Sequence, residues 1–443
     1  MLELSLIILF GLFMGVMIGL LPGLPAFLGL ILLYPFIDHL TIDQILAYWL
    51  TTQIGSQYFG SVAAILLKIP GEASSMVYLD DLDQVSAHDR YDLVRQTAWG
   101  STVGSLFSLA ALLAVYYLGV SDLLILLTKM NVKIAVLSLL VFTLIWFTER
   151  RSISALLFLV GMFFAEKTNQ NLPTWVFDMQ RWSTDITVFS LLLSMIVIPE
   201  FIEEVKKKIN KDSLNLNNPN NIKDKLDLKS IFRGTWIGSL VGFIPGPSTM
   251  LASIVSYNSY GSNDAKDAAI AKKKIISAEA ANNSAAITSL LPFIYVGLPI
   301  TLSEMILYDF LNVKLFIVPT HFPGASIVPH LNYIEFTFAM IAVATLTYHF
   351  LAQKFLRFYE IIINTLYGKL MWLYFILISY IIYIDVHFNP VNIYRYIVFL
   401  IILTLAGMWM LRRRISSLPL LFGYILGDMI MWSAYNFYRI HII

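Results

Sequence analysis

Residues Gly11-Leu12-Phe13-Met14-Gly15-Val16-Met17-Ile18-Gly19-Leu20-Leu21-Pro22-Gly23 and Gly234-Thr235-Trp236-Ile237-Gly238-Ser239-Leu240-Val241-Gly242-Phe243-Ile244-Pro245-Gly246 carry glycine and proline at the same five places and nowhere else. The offset is 223 (234 minus 11), and it also pairs Tyr34 with Tyr257, Ser61 with Ser284 and Ala63 with Ala286. At an offset of 229 (299 minus 70), six residues more, the spacing of Pro70 through Met76 returns in Pro299 through Met305. Self-similarity at a fixed offset marks a duplicated structural unit. The chain is read as two copies of one unit, each an apolar run interrupted at a Pro-Gly step.

What surrounds these runs fixes the class. Of the 443 residues 58% are hydrophobic and 13% charged, against about 25% charged in an ordinary soluble domain. Apolar stretches recur along the whole length, and at about 20 residues per crossing they predict roughly 11–12 membrane segments. They are long and unalternating, as in Tyr394–Leu411, whereas a membrane β-barrel shows alternating ten-residue segments. An all-α polytopic membrane protein is expected. A net charge of +1 lacks the basic face that a nucleic-acid binder needs. The absence of cysteine removes disulfides and thiolate metal sites. Met1-Leu2-Glu3 lacks the basic n-region of a cleaved signal, so the first apolar stretch is read as retained.

Charge also orients the copies. Residues 1–67 contain no Lys or Arg, whereas the second copy is flanked by Lys206, Lys207, Lys208, Lys211, Lys223, Lys225, Lys229 and Arg233 before it, and by Lys266 and Lys272–Lys274 after it. Lys and Arg mark cytoplasmic loops. The division expected is a first transmembrane half over 1–199, a basic cytoplasmic linker over 200–230, and a second half over 231–443, the two copies being inverted in topology. With basic residues on both sides of 234–257, that stretch reads as a helix that enters, breaks at Pro245-Gly246 and returns. The repeat then predicts a second hairpin broken at Pro22-Gly23.

Inverted repeats with broken helices build their site between the repeats, near the bilayer midplane. Pro removes a backbone donor and Gly permits unwound backbone, tolerated at membrane depth only where protein or a watery cavity satisfies it. A half-helix N-terminus offers N–H groups to an anion, so Pro22, Gly23, Pro245, Gly246 and the following Ser248 are candidate substrate contacts. Gly60 and Ser61 of the first copy, with Asn282, Asn283 and Ser284 of the second, add neutral polar groups suited to a carboxylate. Unwound carbonyls near Gly23 and Gly246, together with Asn283, could ligate sodium. Two structural alternatives stand beside these readings: Gly-xxx-Gly spacing also serves close helix packing, and Asn or Ser also serves as an N-cap. The chain lacks a zinc-hydrolase motif, a nucleophile elbow, a phosphate loop and any clustering of its histidines, so no catalytic residue is expected. Neither a ring of like charges nor a repeated filter speaks for a channel.

These residues resemble the large membrane subunit of the tripartite tricarboxylate transporters. The likeness lies in Gly19–Gly23 with the run ending Tyr34-Pro35-Phe36, in Gly60-Ser61 with Ile69-Pro70-Gly71-Glu72, and in Gly242 with Pro245-Gly246. Its most specific piece is Glu279-Ala280-Ala281-Asn282-Asn283-Ser284-Ala285-Ala286, followed by Leu291-Pro292 and Gly297-Leu298-Pro299. It is strong over residues 11–305. The resemblance implies a multi-pass permease of the bacterial inner membrane that imports carboxylates, using a sodium or proton gradient and no other cofactor. It also implies feeding by a periplasmic solute-binding protein and pairing with a small four-span membrane subunit; a stand-alone symporter or exporter is the alternative. The chain departs from the family pattern at Phe59-Gly60, Lys68, Asp80-Asp81-Leu82-Asp83, Pro299-Ile300-Thr301 and Gly427-Asp428. Lys68 is open between a counter-charge for substrate and a snorkelling interface lysine. Asp428, ionisable within an apolar segment, is a functional candidate by that fact.

Overall fold

Long apolar runs low in interior proline leave the backbone no way to pair its polar groups in lipid except along its own helix. The computed structural model describes residues 2–20, 26–68, 72–117, 130–146, 148, 150–165, 187–206, 225–244, 248–261, 267–296, 299–315, 331–354, 372, 374–387, 392–427 and 430. Helix is the rule among them and no strand occurs. Four described helices are long and apolar enough to cross a membrane: Leu2–Leu20, Asp89–Tyr117, Glu335–Ala352 and Ile393–Arg412. Pro22-Gly23, Pro245-Gly246 and Asp428 lie outside the described residues, as does 207–224 of the basic linker, whose first residues continue the helix Ile198–Lys206.

The chain forms two compact units. The larger takes residues 1–127, 208–314 and 328–370, and so draws on both halves of the sequence. Its main helices are α1 (Leu2–Leu20), α2 (Ile42–Leu67), α3 (Ala87–Tyr117), α4 (Leu228–Val241), α5 (Ser248–Asn258), α6 (Ala268–Thr288), α7 (Leu302–Leu315) and α8 (Leu331–Lys354). Local chemistry sets several of the ends. Thr41 and Gln44 form a reciprocal capping box at the start of α2, each bonding the other's backbone N–H. Asp227 and Asp267 accept from the first turns of α4 and α6. At its other end α2 stops at Lys68, whose left-handed backbone (φ 57°) cannot continue a helix.

The duplicated glycine pattern becomes packing. A side chain at Gly11, Gly15 or Gly19 would collide in turn with Thr51, with the backbone at Thr51 and Gly55, and with Ser56 and Phe59 of α2. At Gly234, Gly238 and Gly242 it would meet Ser277, Ala281 and Ala285 of α6. Numbers rise together in both series, so α1 runs parallel to α2, and α4 parallel to α6. Parallel neighbours this close in sequence require the chain to come back between them. In the second copy α5 provides the return: Arg233 Nη2 donates to the Ser259 carbonyl (2.6 Å) and its guanidinium lies 4.4 Å above the Tyr260 ring. The Tyr260 hydroxyl donates to Ser230 Oγ (2.7 Å). The start of α4 therefore meets the end of α5, which is the hairpin expected from the charges. In the first copy the return runs through a short helix, Phe27–Ile31, and a 3-10 turn, Tyr34–His39. Tyr48 OH holds it to α2 by donating to the Gly29 carbonyl (2.8 Å).

Neither α2 nor α6 ranks among the four apolar spans, although α2 has 26 residues. The reason is polar content: Thr51, Thr52, Ser56, Gln57 and Ser61 on α2, and Ser277, Glu279, Asn282, Asn283 and Ser284 on α6, are all buried. These helices face protein, not lipid. Tyr348 of α8 ties α1 to α2, its hydroxyl lying 3.1 Å from the Leu12 carbonyl and 2.7 Å from that of Thr51.

The smaller unit takes residues 128–207, 315–327 and 371–443. Within it a π turn, Leu193–Val197, interrupts the helical run that begins at Val188. The helix Ile393–Arg412 packs on that turn where Gly407 meets the Ser194 carbonyl. Asp385, fully buried, accepts from Thr187 Oγ1 (2.6 Å) and the Tyr396 hydroxyl (2.9 Å).

Candidate functional site

Small residues on α6 let α3 and α4 approach until polar side chains of several elements meet. Ala280 and Ala281 on α6 pack against Gly104 of α3 and Gly238 of α4. On the same helix Glu279, Asn282, Asn283 and Ser284 are all buried. Each sits in mid-helix, so none of the three expected ligands is an N-cap; Ser61, in mid-α2, is not one either.

Glu279 is the centre. Ser61 Oγ of the first copy donates to one of its carboxylate oxygens, and the Tyr78 hydroxyl donates to the other. Tyr78 closes a 3-10 turn, Ala73–Tyr78, whose N-cap is Glu72. That second carboxylate receives Ser74 Oγ (3.3 Å) and Asn282 Nδ2 (3.4 Å) on a single oxygen. It is close enough to Glu279 for the two to repel. Among the described residues no Lys, Arg or His bonds either carboxylate. Asn282 faces both, and its carbonyl oxygen Oδ1 is buried with no partner.

The expected site residues separate by environment. Asn283 Nδ2 donates to Ser101 Oγ of α3 (2.9 Å) and to the Glu279 carbonyl (3.1 Å), leaving its own Oδ1 buried and unpartnered. Ser284 closes a triangle of hydroxyls with Ser108 (2.6 Å) and Ser239 (2.7 Å), and reaches the Thr235 carbonyl (2.9 Å). It therefore ties α3, α4 and α6 together. Gly60 packs beside Gly19 next to the closer contacts of Ser56 and Phe59. Ser248 opens α5, buried with an unpartnered hydroxyl. Lys68 pairs with Asp83 at the end of α2.

Glu72, Tyr78, Ser101 and Glu279 join this candidate site without being among the neutral carboxylate ligands expected from the sequence. The signal for Glu279 was present: an ionisable residue opening the small, neutral run Ala280–Ala286 of an apolar chain is a functional candidate by default.

The family model described as "Tripartite tricarboxylate transporter TctA family" matches residues 6–422 of this chain. A curated relative from Agrobacterium vitis, described as an uncharacterized 52.8 kDa protein in the TAR-I ttuC' 3' region, is 26% identical over 306 residues. The match covers 65% of this chain and 60% of that protein, so the chain spans less than two thirds of the relative's length. No solved structure matches.

Proposed function

The chain belongs to the Tripartite tricarboxylate transporter TctA family, a multi-pass transporter family, and on that premise we propose that it imports tricarboxylates or related carboxylates by ion-coupled alternating access. One observation carries this reading: a hydroxyl of the first copy, Ser61, and a carboxylate of the second, Glu279, meet in a buried polar site. A packing unit serving stability alone has no need to bury a carboxylate at the junction of two copies, where an apolar residue would cost less.

The proposed relation between the copies is inversion. Trp49 and Phe293 lie with ring centroids 6.4 Å apart, and Ser61 bonds Glu279. Numbers rise along α2 as they fall from Phe293 to Glu279, which supports corresponding helices of the copies running in opposite senses. That is the geometry in which rocking of one repeat against the other exposes a fixed site first to one side and then to the other.

In this mechanism a solute-binding protein docks on the periplasmic face of the inner membrane and releases a carboxylate between the copies. The Pro22-Gly23 and Pro245-Gly246 steps receive its negative charge, with Ser248, Asn283 and Gly60 lining the way. A small four-span subunit completes the complex, and a co-bound sodium ion or proton supplies the driving gradient.

Uptake of labelled citrate and of di- and monocarboxylates into proteoliposomes tests the reading. The vesicles would hold the chain, its small subunit and the neighbouring binding protein, with and without a sodium gradient. Uptake that needs both binding protein and gradient is expected. Gradient-driven uptake without the binding protein would make the chain a stand-alone symporter. No carboxylate movement by a folded preparation would overturn the substrate class.

A further inference from the structure

We propose that Glu279, Glu72 and Asn282 bind a sodium ion, and that this is the ion whose gradient drives transport; only the second half of the proposal rests on the function proposed above. Every polar atom of the cluster that lacks a hydrogen is an oxygen, which is the donor set of a hard cation. Two carboxylates repel across it. Neither has a basic partner among the described residues, so no protein cation is seated at the cluster there.

Two further observations favour a bound metal cation. First, both oxygens of Glu279 already accept, from Ser61 and from Tyr78. Hydroxyls that donate to both oxygens are bonds to the ionised form of the carboxylate, and they favour it over the protonated one. Secondly, Asn282 Oδ1 is buried without a partner on a side chain whose amide nitrogen already reaches Glu72. A buried carbonyl oxygen left unpaired costs free energy. A sodium ion takes several oxygens at once and would use it. Asn283 Oδ1, one residue on and equally unpartnered, is a second such oxygen on the same helix.

The arrangement links ion to substrate by charge alone. An anionic substrate approaching the empty cluster meets two carboxyl groups with no cation among the described residues to offset them; with the cation seated, the repulsion between carboxylate and substrate falls. The order is cation first and carboxylate second.

Equilibrium binding of 22Na+ to the purified full chain in detergent, against a potassium background and with no carboxylate present, tests the site. Saturable binding is expected in the unaltered chain. Its apparent affinity should fall at least tenfold in Glu279→Gln and severalfold in Asn282→Ala, each with an unchanged size-exclusion profile. Should Glu279→Gln fail to fold, Glu72→Gln and Asn282→Ala decide the matter. No sodium binding by the unaltered chain, or binding equal in all folded variants, overturns the site. Uptake driven by a pH gradient with no 22Na+ bound gives the pair to a proton and overturns it too. Sodium binding as expected in a preparation that moves no carboxylate keeps the site and overturns the transport reading. Sodium-driven uptake unchanged by Glu279→Gln does the reverse.

Discussion

Ser61 Oγ donates to the Glu279 carboxylate across 218 positions of sequence, and that bond joins the two copies of the repeat. Ser61→Ala removes a donor from a buried carboxylate and puts nothing in its place. Hydrogen bonds to charged groups contribute about 1.5–3 kcal/mol. The variant should lose stability by about that amount in detergent, read as a lower unfolding temperature, and its carboxylate uptake should fall severalfold. Full stability with full uptake would show that Glu279 does not depend on Ser61.

The hairpin of α4 and α5 makes a topological prediction. The chain has no cysteine, so each introduced cysteine is the only one present. Lys229→Cys and Ser259→Cys, at the two ends joined by Arg233 and Tyr260, should label from the same side of sealed membrane vesicles with an impermeant thiol reagent. Labelling from opposite sides would mean that one of these helices crosses alone.

Ser284 and Asn283 are neighbours with different expected consequences. In Ser284→Ala the hydroxyls of Ser108 and Ser239 still satisfy each other at 3.0 Å, so the loss should stay within about 1 kcal/mol and uptake should remain near normal. Asn283→Ala should impair uptake strongly while expression and membrane insertion stay near normal. Equal effects of the two changes on uptake would remove Asn283 from the site.

The glycine stripe predicts a steric cost. At Gly238 a methyl group would come within 2.7 Å of Ala281 Cα and 2.8 Å of Ser284 Cβ. Overpacking of this kind costs about 1–3 kcal/mol, so Gly238→Ala should unfold at lower temperature. A thermal profile identical to that of the unaltered chain would mean that α4 and α6 can separate freely.

What the sequence disclosed follows from how locally each feature is written. Glycine at every fourth residue is a local pattern, and both copies use it in one way, to bring parallel helices together. The hairpin was legible because Arg233 and the Lys272–Lys274 run flank it with like charge. Glu72 was harder to read as part of the site: it lies in a short turn, and only folding brings Asn282 to it, 210 positions away. Glu279 was hidden differently. A search for neutral groups that spare the cost of a buried charge passes over the one charged residue in the motif, and that residue organises the rest. The serine triangle around Ser284 could not be foreseen from one helix, because its other members stand on α3 and α4.

The parallel pairing inside each copy also sets an order of assembly. Contacts within a copy join residues about 40 apart, such as Thr52 with Gly11, 41 positions away, whereas the bond between copies spans 218. Short loops close before long ones. At roughly 5–20 residues per second of synthesis, the first copy can complete its own helix pair and then wait on the order of ten to forty seconds for Glu279 to emerge. During that interval Ser61 stands at an unfinished junction. The step most exposed to misassembly is therefore the late meeting of two halves that are each already formed.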